Sequence, residues 1–270
     1  MRARSYAALA RGRPAAGGVR ILFYHRVSPD RDPLAVTPAR FAAQMDTLAA
    51  GGHRVVDLVD AAAMLERGDV PDRTVVLNFD DGYLDVAENA VPVLEHHGFT
   101  ATVFIVPGLI DGEVTLDWYE RQPPLMSWED VARLDAGSPL RFGAHTVTHP
   151  NLLTVSDRQA RDEIAGSKRI VEERLGRPVE AFCYPAGLFG DREAALVGEA
   201  GYRVAVSCEP GTNIPATDPH RLRRTQVDQR DALVDFRAKV GGGHDRPLLL
   251  RTLHRRLRYG ARSHEASSSR

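Results

Sequence analysis

Two adjacent carboxylates, Asp80 and Asp81, stand between Phe79 and Gly82, at the end of the run Thr74-Val75-Val76-Leu77-Asn78-Phe79. Like charges this close raise each other's proton affinity unless a cation lies beside them. The run before them is short, apolar and β-branched, the pattern of a buried strand. A solvated Asp-Asp-Gly turn would be its simplest ending. A second group argues for more. His145 and His149 lie four residues apart, ahead of Pro150, a spacing that would set both imidazoles on one side of a helical turn. With a carboxylate from elsewhere they would make a metal site of two histidines and one carboxylate, with a position open for water. His25 follows the apolar run Val19–Tyr24, and Tyr184-Pro185-Ala186-Gly187 follows Ala181–Cys183. All four groups fall just beyond strand-like segments.

Those segments alternate with helical ones. Thr37-Pro38 caps a helix with Phe41, Met45 and Leu48 on its inner face, stopped by Gly51-Gly52. His53–Val56 reads as a short strand, Asp57–Arg67 as a helix, and Tyr83–His97 as a helix closed by Gly98. Thr100–Val106 and Leu140–Ala144 are strands. Ser127 with Asp130 and Ser156 with Gln159 open two further helices as capping boxes. Tyr202–Ser207 and Leu222–Val227 are the last strands, and residues 107–126 form an irregular connection holding Trp118 and Tyr119. About seven alternations of strand and helix argue for parallel βαβ units, in a closed barrel or an open wound sheet. Either arrangement gathers chemistry at the C-terminal ends of its strands.

Composition is that of an ordinary soluble protein, 43% hydrophobic and 26% charged over 270 residues. A formal net charge of -1 gives no global field for nucleic acid. The ends differ from the body. Residues 1–18 read as a flexible basic arm, 19–240 as the folded domain, and 241–270 as a basic, partly helical tail able to make weak peripheral contact with an anionic membrane surface. Cys183 and Cys208 do not form a disulfide framework. No signal-like or membrane-spanning apolar run stands out, so a cytoplasmic location is expected.

Three segments resemble motifs of one family, at matching intervals: Asn78-Phe79-Asp80-Asp81-Gly82, His145-Thr146-Val147-Thr148-His149-Pro150, and Phe182-Cys183-Tyr184-Pro185-Ala186-Gly187. They are similar to those of the polysaccharide deacetylases, the NodB-homology domain or carbohydrate esterase family 4. Leu22-Phe23-Tyr24-His25-Arg26-Val27 resembles the histidine segment of a circularly permuted branch that includes exopolysaccharide N-deacetylases. The resemblance implies a distorted (β/α)7-type barrel and an enzyme removing N-acetyl groups from sugar units of a poly- or oligosaccharide. By the same resemblance Asp81, His145 and His149 hold a divalent metal, zinc first, with cobalt or nickel as substitutes. Asp80 is the base, the Ala186 N–H an oxyanion donor, and His25 the acid. Cys183 stands where the family's usual branch has an arginine that contacts the base, and Arg224 resembles a late arginine that takes its place. Tyr184, Pro185, Arg224, Trp118 and Tyr119 are the expected substrate-binding residues. Two other readings stay open: hydrolysis of a small-molecule amide or imide on the same fold, and a degenerate glycan-binding module.

Overall fold

The computed structural model describes residues 18–243 and Asp245. Val19–Tyr24 (β1) and Thr74–Phe79 (β2) are buried along their whole length, as strands covered on both faces must be. They pair in parallel from Arg20 opposite Val75 to Tyr24 opposite Phe79. Ala101–Ile105 (β3), Leu140–Ala144 (β4), Ala181–Cys183 (β5) and Val204–Val206 (β6) follow in that order, all parallel. The last seam is made by residues 222–226. Leu222 bridges Val206, and Thr225–Gln226 (β7) pairs in parallel with Leu22 and Phe23 of β1. The sheet thereby curls back on its first strand, the distorted barrel that the resemblance implied and one of the two arrangements that the alternation left open. Of the segment expected as a final strand, Leu222–Val227, only Thr225–Gln226 makes regular ladder pairs.

The connections carry α1 (Pro38–Ala50), capped by the Thr37 hydroxyl, and α2 (Leu58–Arg67), which ends at Gly68 with φ 74°. The single helix expected over 83–97 is two, α3 (Leu84–Asn89) and α4 (Val91–His97). Pro92 is the reason: it has no N–H to continue the ladder and its ring crowds the preceding turn. A short α5 (Pro107–Ile110) opens the irregular connection, followed by α6 (Trp128–Gly137) and α7 (Asp157–Leu175). Both of the latter start with the expected capping boxes. α8 (Asp191–Glu199) and α9 (Leu233–Val240) complete the set.

Alternation along the strands divides the core. Leu22, Tyr24, Leu77, Phe79, Val103 and Ile105 pack with the helices. Ile21, Val76, Phe104, Cys183, Val204 and Val206 form a second cluster within the barrel, closed by Leu58, Ala61 and Leu65 of α2. Each such side chain contributes roughly 1.5–3 kcal/mol on burial, so the strand ends rest on a stiff wall. The basic arm and nearly all of the basic tail lie outside the described residues; within them, Arg20 pairs with Asp245. Among the described residues no helix is long and apolar enough to cross a membrane.

Candidate active site

The strand ladders run on into the site. The Asp80 N–H donates to the Tyr24 carbonyl (3.0 Å), the His145 N–H to Ile105 (3.0 Å) and the Tyr184 N–H to Val206 (3.2 Å). One rim of the barrel therefore carries His25, Asp80, Asp81, His145 and Tyr184.

Asp81 Oδ1 lies 3.7 Å from His145 Nε2 and 3.9 Å from His149 Nε2. One ligand atom from each of the three falls within 4.8 Å of the others. Both Asp81 oxygens are buried without a hydrogen-bond partner, a costly state for an ionised carboxylate unless a cation compensates it. Burial, and then the charge of Asp80, pushes the Asp81 carboxyl up to about 8. The His145 Nδ1–H donates to the Cys183 carbonyl at 2.7 Å, which fixes the tautomer and leaves Nε2 as a lone-pair donor. Burial, partly offset by the charge of Asp80, pushes His145 down to about 4. Burial, and then His145, lowers His149 as well. Two neutral imidazoles and a carboxylate with orphaned oxygens are a donor set that fits a divalent cation.

The histidines meet, but not on a helical turn. Thr146 (φ 64°) and His149 (φ 59°) adopt left-handed backbone. The Thr146 hydroxyl donates to the His145 carbonyl (2.5 Å) and accepts the His149 N–H (3.0 Å). Glu163 of α7 holds the loop from below. Its Oε2 accepts the N–H groups of Val147 (2.7 Å) and Thr148 (2.9 Å), and Oε1 accepts the Thr148 hydroxyl (2.5 Å). Sequence reading missed Glu163, because nothing in its spacing sets it apart from other charges on an amphipathic helix. Outside the site, Arg73 is the single further non-glycine residue with positive φ among those described; the others are Asp81 (72°), Thr146, His149 and Ala186 (52°). Such backbone costs of order 1–3 kcal/mol per residue and collects where geometry matters more than stability.

Asp80 is compensated differently. Arg224 Nη1 and Nη2 donate to its two oxygens at 2.7 and 2.9 Å. Burial raises the Asp80 carboxyl, but the charge and hydrogen bonds of Arg224 outweigh it, and the net shift is downward. Arg224 also donates to the Ser207 carbonyl (2.8 Å), lies 3.0 Å from Cys183 Sγ and stacks 4.2 Å over the Phe23 ring. It is 0% exposed. This corrects the expectation that Arg224 binds substrate: it stands behind Asp80 and fixes it. Tyr184 is corrected for the same reason. Its ring is 0% exposed, it stacks on Phe189 at 4.4 Å, and its hydroxyl donates to the His220 carbonyl (2.9 Å). Burial raises the Cys183 thiol and keeps it protonated, as suits a small filler between Arg224 and His145.

His25 is half-buried on the rim, its Nδ1 enclosed and without a partner. Burial lowers it, the charge of Asp80 raises it and Arg224 lowers it again, with a net shift downward. Pro185 and Ala186 line a cleft of about 210 Å³ with Asp117, Trp118 and His149. Its wall depends on Gly187 (φ 64°), where a Cβ would lie 2.2 Å from the Cys208 nitrogen. Trp118 meets the His149 ring edge-on at 5.6 Å. The Tyr119 hydroxyl donates to Asp32 (2.8 Å), which places its ring in a neighbouring groove. Trp128 belongs to packing, its indole N–H on Asp111 (2.7 Å) and Arg174 5.1 Å over its ring.

Residues 67–205, about half of the chain, match the family model of polysaccharide deacetylases. This chain belongs to the polysaccharide deacetylase family. YxkH of Bacillus subtilis (strain 168), a protein named after the same family, is 27% identical over 208 residues, 77% of this chain and 70% of that protein. The poly-beta-1,6-N-acetyl-D-glucosamine N-deacetylase of Staphylococcus aureus (strain MRSA252) is 21% identical over 233 residues, 83% of this chain and 78% of that enzyme. Among solved structures, IcaB from Ammonifex degensii superposes with a TM-score of 0.73 at 25% identity, covering 85% of this chain and 99% of that one. Streptococcus pyogenes deacetylase PplD, in complex with acetate, shares the fold with a TM-score of 0.71 at 22% identity, covering 81% of this chain and 96% of that one. The family match includes Asp80, Asp81, His145, His149 and the Tyr184–Gly187 turn of this deacetylase-family chain. His25 and Arg224 lie outside the matched segment; they rest on the resemblance of their own segments and on their places at the rim and behind Asp80.

Proposed function

We propose that this chain is a metal-dependent hydrolase that removes the acetyl group from N-acetylated sugar units of an oligo- or polysaccharide. One observation carries the reading. The adjacent carboxylates have separate partners: Asp80 is held by Arg224 at 2.7 and 2.9 Å, while Asp81 faces His145 and His149 with both oxygens unclaimed. Asp81, His145 and His149 would hold the cation, and the borderline nitrogen and oxygen donor set favours zinc. When bound, a divalent metal lowers the pKa of water toward ~7 and polarises a carbonyl oxygen.

The remaining steps belong to the chain's own residues. Asp80, ionised and locked in one orientation by Arg224, takes the proton of the attacking water. The Ala186 N–H, at the edge of the cleft, donates to the oxyanion of the tetrahedral amide. An amine leaves poorly without a proton, and His25 on the same rim supplies it. Trp118 and Pro185 give the sugar an apolar wall. The substrate class is supported by the staphylococcal relative, whose name specifies an N-acetylglucosamine polymer.

The test is acetate release from N-acetylglucosamine oligomers with and without a chelator, in wild type and Asp80→Asn. We expect chelator-sensitive release in wild type and none in the variant, with its metal content near stoichiometric. Release that persists in Asp80→Asn overturns the base assignment, and release indifferent to chelator overturns the metal.

A further inference from the structure

A groove of about 640 Å³ runs beside the cleft that holds His149 and Ala186, and Trp118 lines both. Its floor is a closed polar network. Arg26 donates to Asp85 (2.7 Å), Asp32 (2.9 Å) and Asp30 (2.7 Å), and the Tyr119 hydroxyl donates to Asp32 (2.8 Å). The carboxylates of the groove are thus already engaged. Arg31 and Arg121 are the opposite case. Both are exposed on the groove wall, and no carboxylate of the described residues pairs with either. Arg26 with its three carboxylates carries two excess negative charges, which Arg31 and Arg121 balance in sum. Of the charged groups on the groove wall, Asp30 is 57% exposed but already paired with Arg26, whereas the two guanidinium groups of Arg31 and Arg121, each a fork of N–H donors, have no carboxylate partner among the described residues.

We propose that this groove binds an anionic group, a carboxylate or a phosphate, carried by the glycan on a unit next to the sugar whose N-acetyl group enters the cleft. The inference rests on the deacetylase reading and narrows its substrate class. Guanidinium forks match both oxyanions in bidentate geometry. The continuity through Trp118 allows one chain to span groove and cleft, with the Trp118 and Tyr119 rings as stacking surface between them. A neutral oligomer gains the stacking alone.

The experiment measures dissociation constants by calorimetry on the full-length, metal-loaded protein. Three probes are compared: an N-acetylglucosamine trimer, the same trimer with a terminal carboxylate, and the same trimer with a terminal phosphate. Each is measured on wild type, on the double variant Arg31→Ser/Arg121→Ser, and on Arg158→Ser as a distant surface control. We expect at least one anionic trimer to bind about tenfold more tightly than the neutral one to wild type and the control. That preference should shrink below about twofold in the double variant and fall with rising salt. Preference for the carboxylate or for the phosphate alone identifies which group the groove takes. Three constants within about twofold of one another on wild type, or a preference that survives the double substitution, overturn the proposal. Acetate release is read in parallel: its absence with every probe counts against the deacetylase reading and leaves the comparison of binding constants intact.

Discussion

Replacing Arg224 with methionine keeps an unbranched side chain of similar reach and removes both hydrogen bonds to Asp80. Charge-assisted hydrogen bonds contribute about 1.5–3 kcal/mol each, and losing one partner of a buried ion pair costs roughly 3–5 kcal/mol. Domains of this size have about 5–15 kcal/mol in hand, so the variant should fold with a lower denaturation midpoint. The sharper effect is on pH. In wild type the Asp80 carboxyl lies below its ordinary value, so its contribution to stability is present above the unfolded value of ~3.9 and fades as pH falls through the folded one. Without Arg224, burial, the largest influence on Asp80, acts nearly unopposed and raises the carboxyl. The sign then reverses, and stability is lost as pH rises. Because the base must be ionised, the acid limb of kcat/KM for acetate release should move to higher pH. The assay is a pH profile of kcat/KM beside urea denaturation at several pH values. An acid limb that stays in place, with a stability loss near 1 kcal/mol and the same at every pH, would refute the assignment of Arg224 as the group that sets Asp80. Arg224→Lys, which keeps the charge but not the fork, should fall between the two.

Glu163→Gln removes the charge that collects the N–H groups of Val147 and Thr148. We expect metal affinity to drop about 10–100-fold, read by competition with a chromogenic chelator; an unchanged affinity means the His145–His149 loop holds itself. Metal uptake near neutral pH should release about one proton, because burial and Asp80 push the Asp81 carboxyl up to about 8 in the metal-free site; uptake without acidification of a weak buffer contradicts this. For the same reason the metal-free protein should lose stability as pH rises from ~6.5 toward 8, above the range in which the histidines, lowered by burial, titrate in the unfolded chain, a slope that added metal abolishes and that thermal melts will reveal. His25→Ala should slow amide hydrolysis about 10²–10⁴-fold and leave an activated aryl acetate far less affected; equal losses on both substrates would move the acid elsewhere.

Much of this was legible in the sequence because strand ends are. A short β-branched run such as Thr74–Phe79 announces a buried parallel strand, and polar residues just after it have one rim to occupy. Asp80, Asp81, His145 and the Tyr184–Gly187 turn were found that way. The reasons were not always right. His145 and His149 do converge, but through left-handed backbone at Thr146 and His149, which a four-residue spacing does not encode. Tyr184 carries a polar group at the rim and so reads as a ligand contact, yet it turns inward onto the His220 carbonyl; Arg224, expected both beside the base and against substrate, is buried against Asp80 and away from the cleft. Glu163 was invisible because its role is set by a loop that has unsatisfied N–H groups only once folded. The break at Pro92 was readable and overlooked: the apolar pattern runs across it, but the backbone hydrogen bonds cannot.

The segment that closes the barrel also carries Arg224. Leu222 and Thr225–Gln226 stitch the last strand to the first, and the arginine between them reaches Asp80 across 144 positions of sequence. During synthesis the three candidate metal donors emerge well before this seam does. A nascent chain ending ahead of residue 222 would already possess Asp81, His145 and His149, but its base would have no anchor. Completion of the fold and anchoring of Asp80 are therefore one event, timed to the emergence of residues 222–226. A chain that fails to close is left with an unarmed base.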